Sequence, residues 1–259
     1  MRKLGSLLLV CWLSATTASA FEFVRPESLG GGAPVIIEGA EVTDPQRWPA
    51  TFIFKATGSG CTATAVGERV VITAAHCVGN AARGTVRVNN DIAVGLQCFH
   101  HPGYPANETT DFALCLTDSG MTDIPFEVIS TAIAYPRLGH DVVLLGFGCT
   151  QAGGHDGSFG TLFEGKAKVV RRPDGRDIDT ITKGGAAVCF GDSGGASYFQ
   201  LTSNGNRRAL VAINSRGDIN KFSFLSTLAT PEFVSWAVEW ANQRNVAICG
   251  LDVEANGCR

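Results

Sequence analysis

Between residues 51 and 225 the chain alternates short β-type runs with turn signals, and this rhythm constrains the fold more than any other feature. Runs rich in Val, Ile, Thr and Phe occupy 51–55, 62–66, 69–73, 85–88, 92–96 and 112–116. A second set follows at 142–147, 162–170, 196–199, 210–213 and 222–225. Between them stand Gly67 and Glu68, Asn89 and Asn90, Gly153 and Gly154, Pro173 to Gly175, and Asn204 and Gly205. Strands this short satisfy their backbone N–H and C=O groups only by pairing with many neighbours, so the expected class is all-β, a barrel or sandwich architecture. The 117–136 stretch, with Pro125 and few strand-like runs, is the expected connection between two halves. One helix is expected, at 231–244. Thr230 caps it, Pro231 occupies its first turn, and Phe233, Trp236, Ala237, Trp240 and Ala241 share a face.

The first twenty residues read as a signal segment. Arg2 and Lys3 precede an apolar stretch at 7–13, and Ala18-Ser19-Ala20 has the small-residue cleavage pattern, placing the cut after Ala20. The apolar stretch is too short to span a bilayer, and no later run is long enough, so no membrane association is expected after cleavage. Loss of Arg2 and Lys3 takes the net charge from −3 to −5, and no Lys/Arg run remains, so nucleic acid is not an expected partner. Of nine cysteines, Cys11 leaves with the signal. The remaining eight (Cys61, Cys77, Cys98, Cys115, Cys149, Cys189, Cys249 and Cys258) are an even set in an exported chain and imply four disulfides, with 105 connectivities open. No C-x-x-C or H-E-x-x-H occurs, so neither a metal nor another cofactor is expected. Adjacent His100 and His101 read as part of a solvated loop.

Chemistry is concentrated in Gly191-Asp192-Ser193-Gly194-Gly195. A serine among glycines can sit on a tight turn with its hydroxyl exposed and nearby backbone N–H groups free to hold an oxyanion, although a plain Gly-rich turn has the same composition. The pentapeptide also fits G-x-S-x-G, the nucleophile elbow of α/β-hydrolases, but that arrangement needs a histidine after the serine. All five histidines (His76, His100, His101, His140 and His155) precede Ser193, which rejects it. The base must come from upstream. His76 ends the apolar run 70–75 next to Cys77, with the small Ala74 and Ala75 leaving room around an imidazole. For the orienting carboxylate, Asp111 and Asp141 each open an apolar strand, and the pattern alone leaves both open.

The T-A-A-H-C of 73–77 together with the G-D-S-G-G of 191–195 resembles the trypsin/chymotrypsin family of serine endopeptidases, with its His, Asp, Ser chain order. The resemblance covers about 36–240. It selects Asp111, since Asp111-Phe112-Ala113-Leu114 is similar to the family's D-x-A-L, and so implies a catalytic set of His76, Asp111 and Ser193 with an oxyanion hole at the N–H groups of Gly191 and Ser193. The implied fold is two six-stranded antiparallel barrels, about 36–120 and 136–228, with the site between them and a C-terminal helix. Residues 21–35 become a leader or propeptide and 245–259 a disulfide-stapled tail.

The resemblance implies Cys61–Cys77 as the family bridge that ties the loop of the histidine. Beside it Cys98–Cys115, Cys149–Cys189 and Cys249–Cys258 are the expected pairings, three that depart from the commonest family pattern and leave the connectivity beyond Cys61–Cys77 open. The implied substrate contacts are Ala187, Phe190, Ser215, Arg216 and Gly217. Ala187 stands where trypsin-like members carry Asp, which disfavours cleavage after Lys or Arg, and Gly217 leaves the pocket entrance open to an apolar or small residue. Arg216 replaces the family's usual Trp and reads as a solvated side chain, with attraction to an acidic substrate residue as the alternative. Ile36-Ile37-Glu38-Gly39 resembles the family's liberated terminus, whose ammonium would pair with Asp192, although Val35 is not a residue a trypsin-like activator cuts after. The expected product is a secreted, monomeric endopeptidase acting on protein or peptide substrates, or a periplasmic one in a Gram-negative source. An inert binding or regulatory protein on the same fold is the alternative. Asn107-Glu108-Thr109 is a glycosylation sequon.

Overall fold

A computed structural model describes residues 21–24, 36–56, 59–89, 92–121, 123–149, 160–201, 207–252 and 255–259. The expected signal segment and the turn residues at 90, 153–154 and 204–205 lie outside the described residues.

Two closed barrels form the body. In the first half the strands are β1 (Phe21–Val24), β2 (Ala40–Glu41), β3 (Thr51–Ala56), β4 (Ser59–Gly67), β5 (Val70–Thr73), β6 (Arg83–Asn89), β7 (Ile92–His100) and β8 (Ala113–Thr117). They close in the order β1-β3-β4-β5-β8-β7-β6, with β2 left out to edge the second barrel. The second half contributes β9 (Asp141–Gly146), β10 (Phe163–Arg171), β11 (Asp179–Gly185), β12 (Ala196–Gln200), β13 (Arg208–Gly217) and β14 (Phe222–Thr227). These run β11-β14-β13-β12-β9-β10, and pairing of β10 with β11 closes the ring.

Period-two side-chain alternation explains why the strands read as unbroken apolar runs. On β5, Val71 points into the first barrel with Phe52, Phe54, Ala63 and Cys115. Its neighbours Val70 and Ile72 point the other way, into a cluster with Phe112, Leu114, Leu145, Tyr198 and the helix. Both faces are buried, so the strand is apolar apart from Thr73, whose hydroxyl donates to the Thr62 carbonyl. The second barrel is filled by Val142, Leu144, Phe163, Val169, Val211 and Leu225.

The first barrel departs from six strands. It has the expected six and, in addition, β1, formed by residues that the sequence assigned to the leader. β11 was also not foreseen. It carries Asp179, Thr180 and Thr182 on buried positions and ends on Gly184 and Gly185, both at positive φ, so it lacks the apolar run that marks its neighbours.

The helix α1 (Pro231–Arg244) begins as expected. Thr230 Oγ1 accepts from the Phe233 N–H at 3.3 Å, and Phe233, Ala237, Trp240 and Ala241 are buried. Its Trp236 and the ring of Phe112 flank His101, which is therefore half-buried and not in a solvated loop. Burial lowers the His101 pKa, against a smaller upward pull from Glu232. Across the connection, Arg208 of β13 makes a two-pronged buried ion pair with Glu127, its guanidinium 4.0 Å over the Trp48 ring. The four disulfides are Cys61–Cys77, the family bridge, and Cys98–Cys115, Cys149–Cys189 and Cys249–Cys258, the three expected pairings whose connectivity the sequence left open. Among the described residues no helix is long and apolar enough to cross a membrane.

Candidate active site

His76 lies in the 3₁₀ turn Ala75–Cys77 that ends β5, fixed by the Cys61–Cys77 bridge to β4. Asp111 follows the turn Glu108–Thr110 and precedes β8, the hydrogen-bonded partner of β5, so strand pairing alone brings the two together. Asp111 Oδ2 lies 2.6 Å from His76 Nδ1, and Asp111 Oδ1 accepts from the His76 backbone N–H at 2.9 Å. The Ser215 hydroxyl, at the far end of β13, also donates to Asp111 Oδ2 at 2.6 Å. Burial pushes the Asp111 carboxyl up, but these hydrogen bonds and the neighbouring imidazole outweigh it and hold the pKa below the usual carboxylate value. Asp141, the other acid considered, sits exposed at the start of β9 and pairs with Lys168 at 2.9 Å.

Ser193 arrives from the second barrel. Its hydroxyl donates to the Ser215 carbonyl at 3.4 Å, and no hydrogen bond joins it to His76. Ser215 is thus the meeting point: its side chain holds Asp111 and its backbone faces Ser193. Around Ser193 the N–H groups of Asp192, Gly194 and Gly195 are occupied by Cys189, Asn214 and Asp192 carbonyls. Those of Gly191 and Ser193 have no partner among the described residues. Gly194 cannot be another residue, since its φ is +80° and a Cβ would lie 2.1 Å from Thr73 Oγ1.

Several residues that shape this loop had no sequence signal. Thr62 of β4 reaches across the seam: its N–H donates to the Ser193 carbonyl at 2.7 Å and its hydroxyl to the Gly191 carbonyl at 3.0 Å, while accepting from the Phe147 N–H at 3.2 Å. From the other side Asn214 donates to the carbonyls of Leu145 and Asp192 at 3.0 and 3.3 Å. Threonines and asparagines are ordinary strand and turn residues in a sequence, and only the closed barrels show which ones touch the loop.

The remaining expected residues fall around this centre. Ala187 is fully buried and exchanges both backbone hydrogen bonds with Ile37 at 3.1 Å, in an apolar group with Cys149, Cys189 and Ile219. Val188 lies beside Gly217, and Phe190 stands 65% exposed next to the serine loop. Arg216 is not simply solvated. Its guanidinium donates to Asp179 Oδ2 at 2.6 Å, to the Glu108 carbonyl at 3.2 Å and to Ser215 Oγ at 3.3 Å. Burial pushes Asp179 up to about 6, with Arg216 pulling the other way. Together with His76, Tyr104, Pro105, Glu108, Asp111 and Ser215, Arg216 lines an open cleft of about 290 Å³.

Ile36 is buried in the cluster that fills the second barrel, and Asp192 is buried next to Ser193, accepting from the N–H groups of Cys189 and Gly148, both at 2.8 Å. Burial raises the Asp192 carboxyl to about 7 despite those two bonds. Of the described residues, Cys61, His76 and Cys77 bring potential metal-ligand atoms together. Both sulfurs are consumed in the disulfide, so the group offers no thiolate and does not fit a metal.

The family model described as Trypsin matches residues 36–231, from the buried isoleucine to the first residue of the helix. Its span includes both barrels apart from β1, and it takes in both sequence motifs. The chain belongs to the trypsin family, the serine proteases of the chymotrypsin clan.

Proposed function

We propose that the chain is a secreted serine endopeptidase working as a monomer through His76, Asp111 and Ser193. The observation that carries this reading is the convergence at Ser215, where the Asp111–His76 pair from one barrel and Ser193 from the other share one residue. In the working cycle the Ser193 hydroxyl turns from the Ser215 carbonyl to His76 Nε2. Oγ bonds to the peptide carbonyl carbon as its proton passes to the imidazole. Asp111 keeps the proton on Nδ1 and stabilises the imidazolium. The carbonyl oxygen, now an oxyanion, takes the vacant N–H groups of Gly191 and Ser193, each such donor worth about 3–4 kcal/mol to the transition state. His76 then protonates the leaving amine, the C–N bond breaks, and water repeats the sequence on the acyl-enzyme.

The substrate residue before the scissile bond is apolar or small, because Ala187 and its apolar neighbours offer no carboxylate to a Lys or Arg. Phe190, Arg216 and Gly217 complete the rim. Export is supported by the signal pattern of 1–20 and by four disulfides, which persist in oxidising compartments. Activation frees Ile36, whose ammonium would pair with Asp192. In support, Ile37 already lies against Ala187 and Asp192 has no cation among its hydrogen-bond partners.

The decisive experiment is Ser193→Ala, assayed for peptide hydrolysis and for labelling by a fluorophosphonate. Loss of both, with thermal stability within about 0.5 kcal/mol of the parent, supports the assignment. Hydrolysis surviving in the variant overturns it, and a processed parent chain that neither cleaves nor labels leaves the inert protease-fold reading.

A further inference from the structure

The first barrel closes through the chain's own N-terminal strand. β1 lies between β3 and β6, antiparallel to the former and parallel to the latter, and β3 and β6 do not pair with each other. Phe21 and Phe23 point inward, 5% and 0% exposed, with ring centroids 5.3 and 5.2 Å from Phe54. Glu22, between them, points outward and meets Arg87 Nη2 at 2.9 Å. The seat is shaped for this strand. Gly84 of β6 stands opposite Phe21, and a Cβ there would lie 2.4 Å from the Phe21 ring and 2.6 Å from its carbonyl oxygen.

Residues 21–35 contain no cysteine, and the eight cysteines beyond the signal segment pair among themselves. A cut ahead of Ile36 therefore severs the one covalent tie between β1 and the rest of the molecule. We propose that β1 stays in place after that cut, so that the active protease is a two-chain complex without an interchain disulfide. The gap between β3 and β6 is then a peptide site selective for an extended aromatic-x-aromatic segment. Departure of β1 would bare the Phe54 side of the core and leave two facing strand edges with unpaired N–H and C=O groups, both unfavourable in water and prone to association. The inference takes from the protease reading only the position of the cut.

The test replaces residues 31–35 by Asp-Asp-Asp-Asp-Lys and cuts the full chain natively with enteropeptidase, followed by gel filtration and intact-mass analysis. The leader is expected to co-elute at one per molecule and to leave only in denaturant. A cut chain that elutes folded and monomeric without its leader overturns the proposal. In the same background Gly84→Val is expected to retain less than one-tenth of the leader, and full retention also overturns it. Should Gly84→Val fail to fold, the cut parent chain is stripped of its leader in denaturant with its disulfides intact and renatured with a fluorescent Phe-Glu-Phe-Val-Arg-Pro peptide, which must be retained while its Phe-to-Asp analogue is not; equal uptake of both overturns it. Fluorophosphonate labelling of the cut chain separates the two readings. Leader retained without labelling sinks the protease assignment alone, and labelling with the leader gone sinks this one alone.

Discussion

Arg216 and Asp179 form an ion pair at 2.6 Å in which the carboxylate belongs to the buried start of β11 and the guanidinium faces the open cleft beside His76. The same guanidinium donates to Ser215 Oγ, and an arginine can only donate. An ionised Asp111 can only accept, so the Ser215 hydroxyl gives its one proton to Asp111 and takes the Arg216 N–H on a lone pair. The cation is thus joined through one hydroxyl to the imidazole's partner.

Replacing Arg216 by Gln removes the influence that restrains Asp179, whose carboxyl is already pushed up to about 6 by burial. An acid with a folded pKa above its unfolded value binds more protons folded than unfolded, so its stabilising effect is complete below about pH 4 and is lost as pH rises through the folded value. Arg216→Gln should match the parent near pH 4 and lose about 3 kcal/mol at pH 8, where a buried carboxylate is left unpaired. Denaturant unfolding at the two pH values measures this, and an equal loss at both contradicts it.

Thr62→Val keeps the shape of the side chain but removes the hydroxyl between the Gly191 carbonyl and the Phe147 N–H. Two buried polar groups lose a partner, for a destabilisation of about 1–3 kcal/mol. The serine loop is then held less firmly, and we expect the fluorophosphonate reaction of Ser193 to slow by about tenfold, equivalent to about 1.4 kcal/mol in the barrier. An unchanged labelling rate would show that the seam contact does not shape the loop.

Asp192 makes the uncut chain pH-sensitive. Its carboxyl, raised to about 7, favours the folded state most below about pH 4 and loses that effect up to and beyond pH 7, by roughly 4 kcal/mol in all. An ammonium freed at Ile36 would lower this pKa and flatten the slope. Stability profiles of uncut and cut chains from pH 4 to 8 should therefore diverge, the cut chain being the more stable at the upper end.

Peptide-library cleavage by the processed chain should favour apolar or small residues before the scissile bond over Lys and Arg by at least about a hundredfold, the scale of leaving a buried charge without its partner, about 3 kcal/mol. Dominant cleavage after Lys or Arg would require a carboxylate that the group around Ala187 lacks.

Short motifs carry their chemistry locally, and that part of the molecule could be read directly. His76, Ser193 and the glycine at 194 stand in fixed local geometry, and the apolar runs announce strands buried on both faces. Asp111 was separable from Asp141 only by family resemblance, since both open an apolar strand. What the sequence hid is non-local. Thr62 meets Gly191 across 129 positions, and Arg216 finds Asp179 across 37. Neither partner is marked by composition. β11 buries threonines and an aspartate, and β1 directly follows a signal-like segment, so the usual hydrophobic cues failed at both.

The division of labour around the serine loop has a consequence for biosynthesis. Under the proposed mechanism the nucleophile Ser193 and its oxyanion donors are encoded in the later half of the chain, while Thr62, which holds the carbonyls of Gly191 and Ser193, and the His76–Asp111 pair are encoded in the earlier one. Neither half alone would then hold a complete cutting machine, so on that reading a partly translated or partly refolded copy would be unable to digest its neighbours.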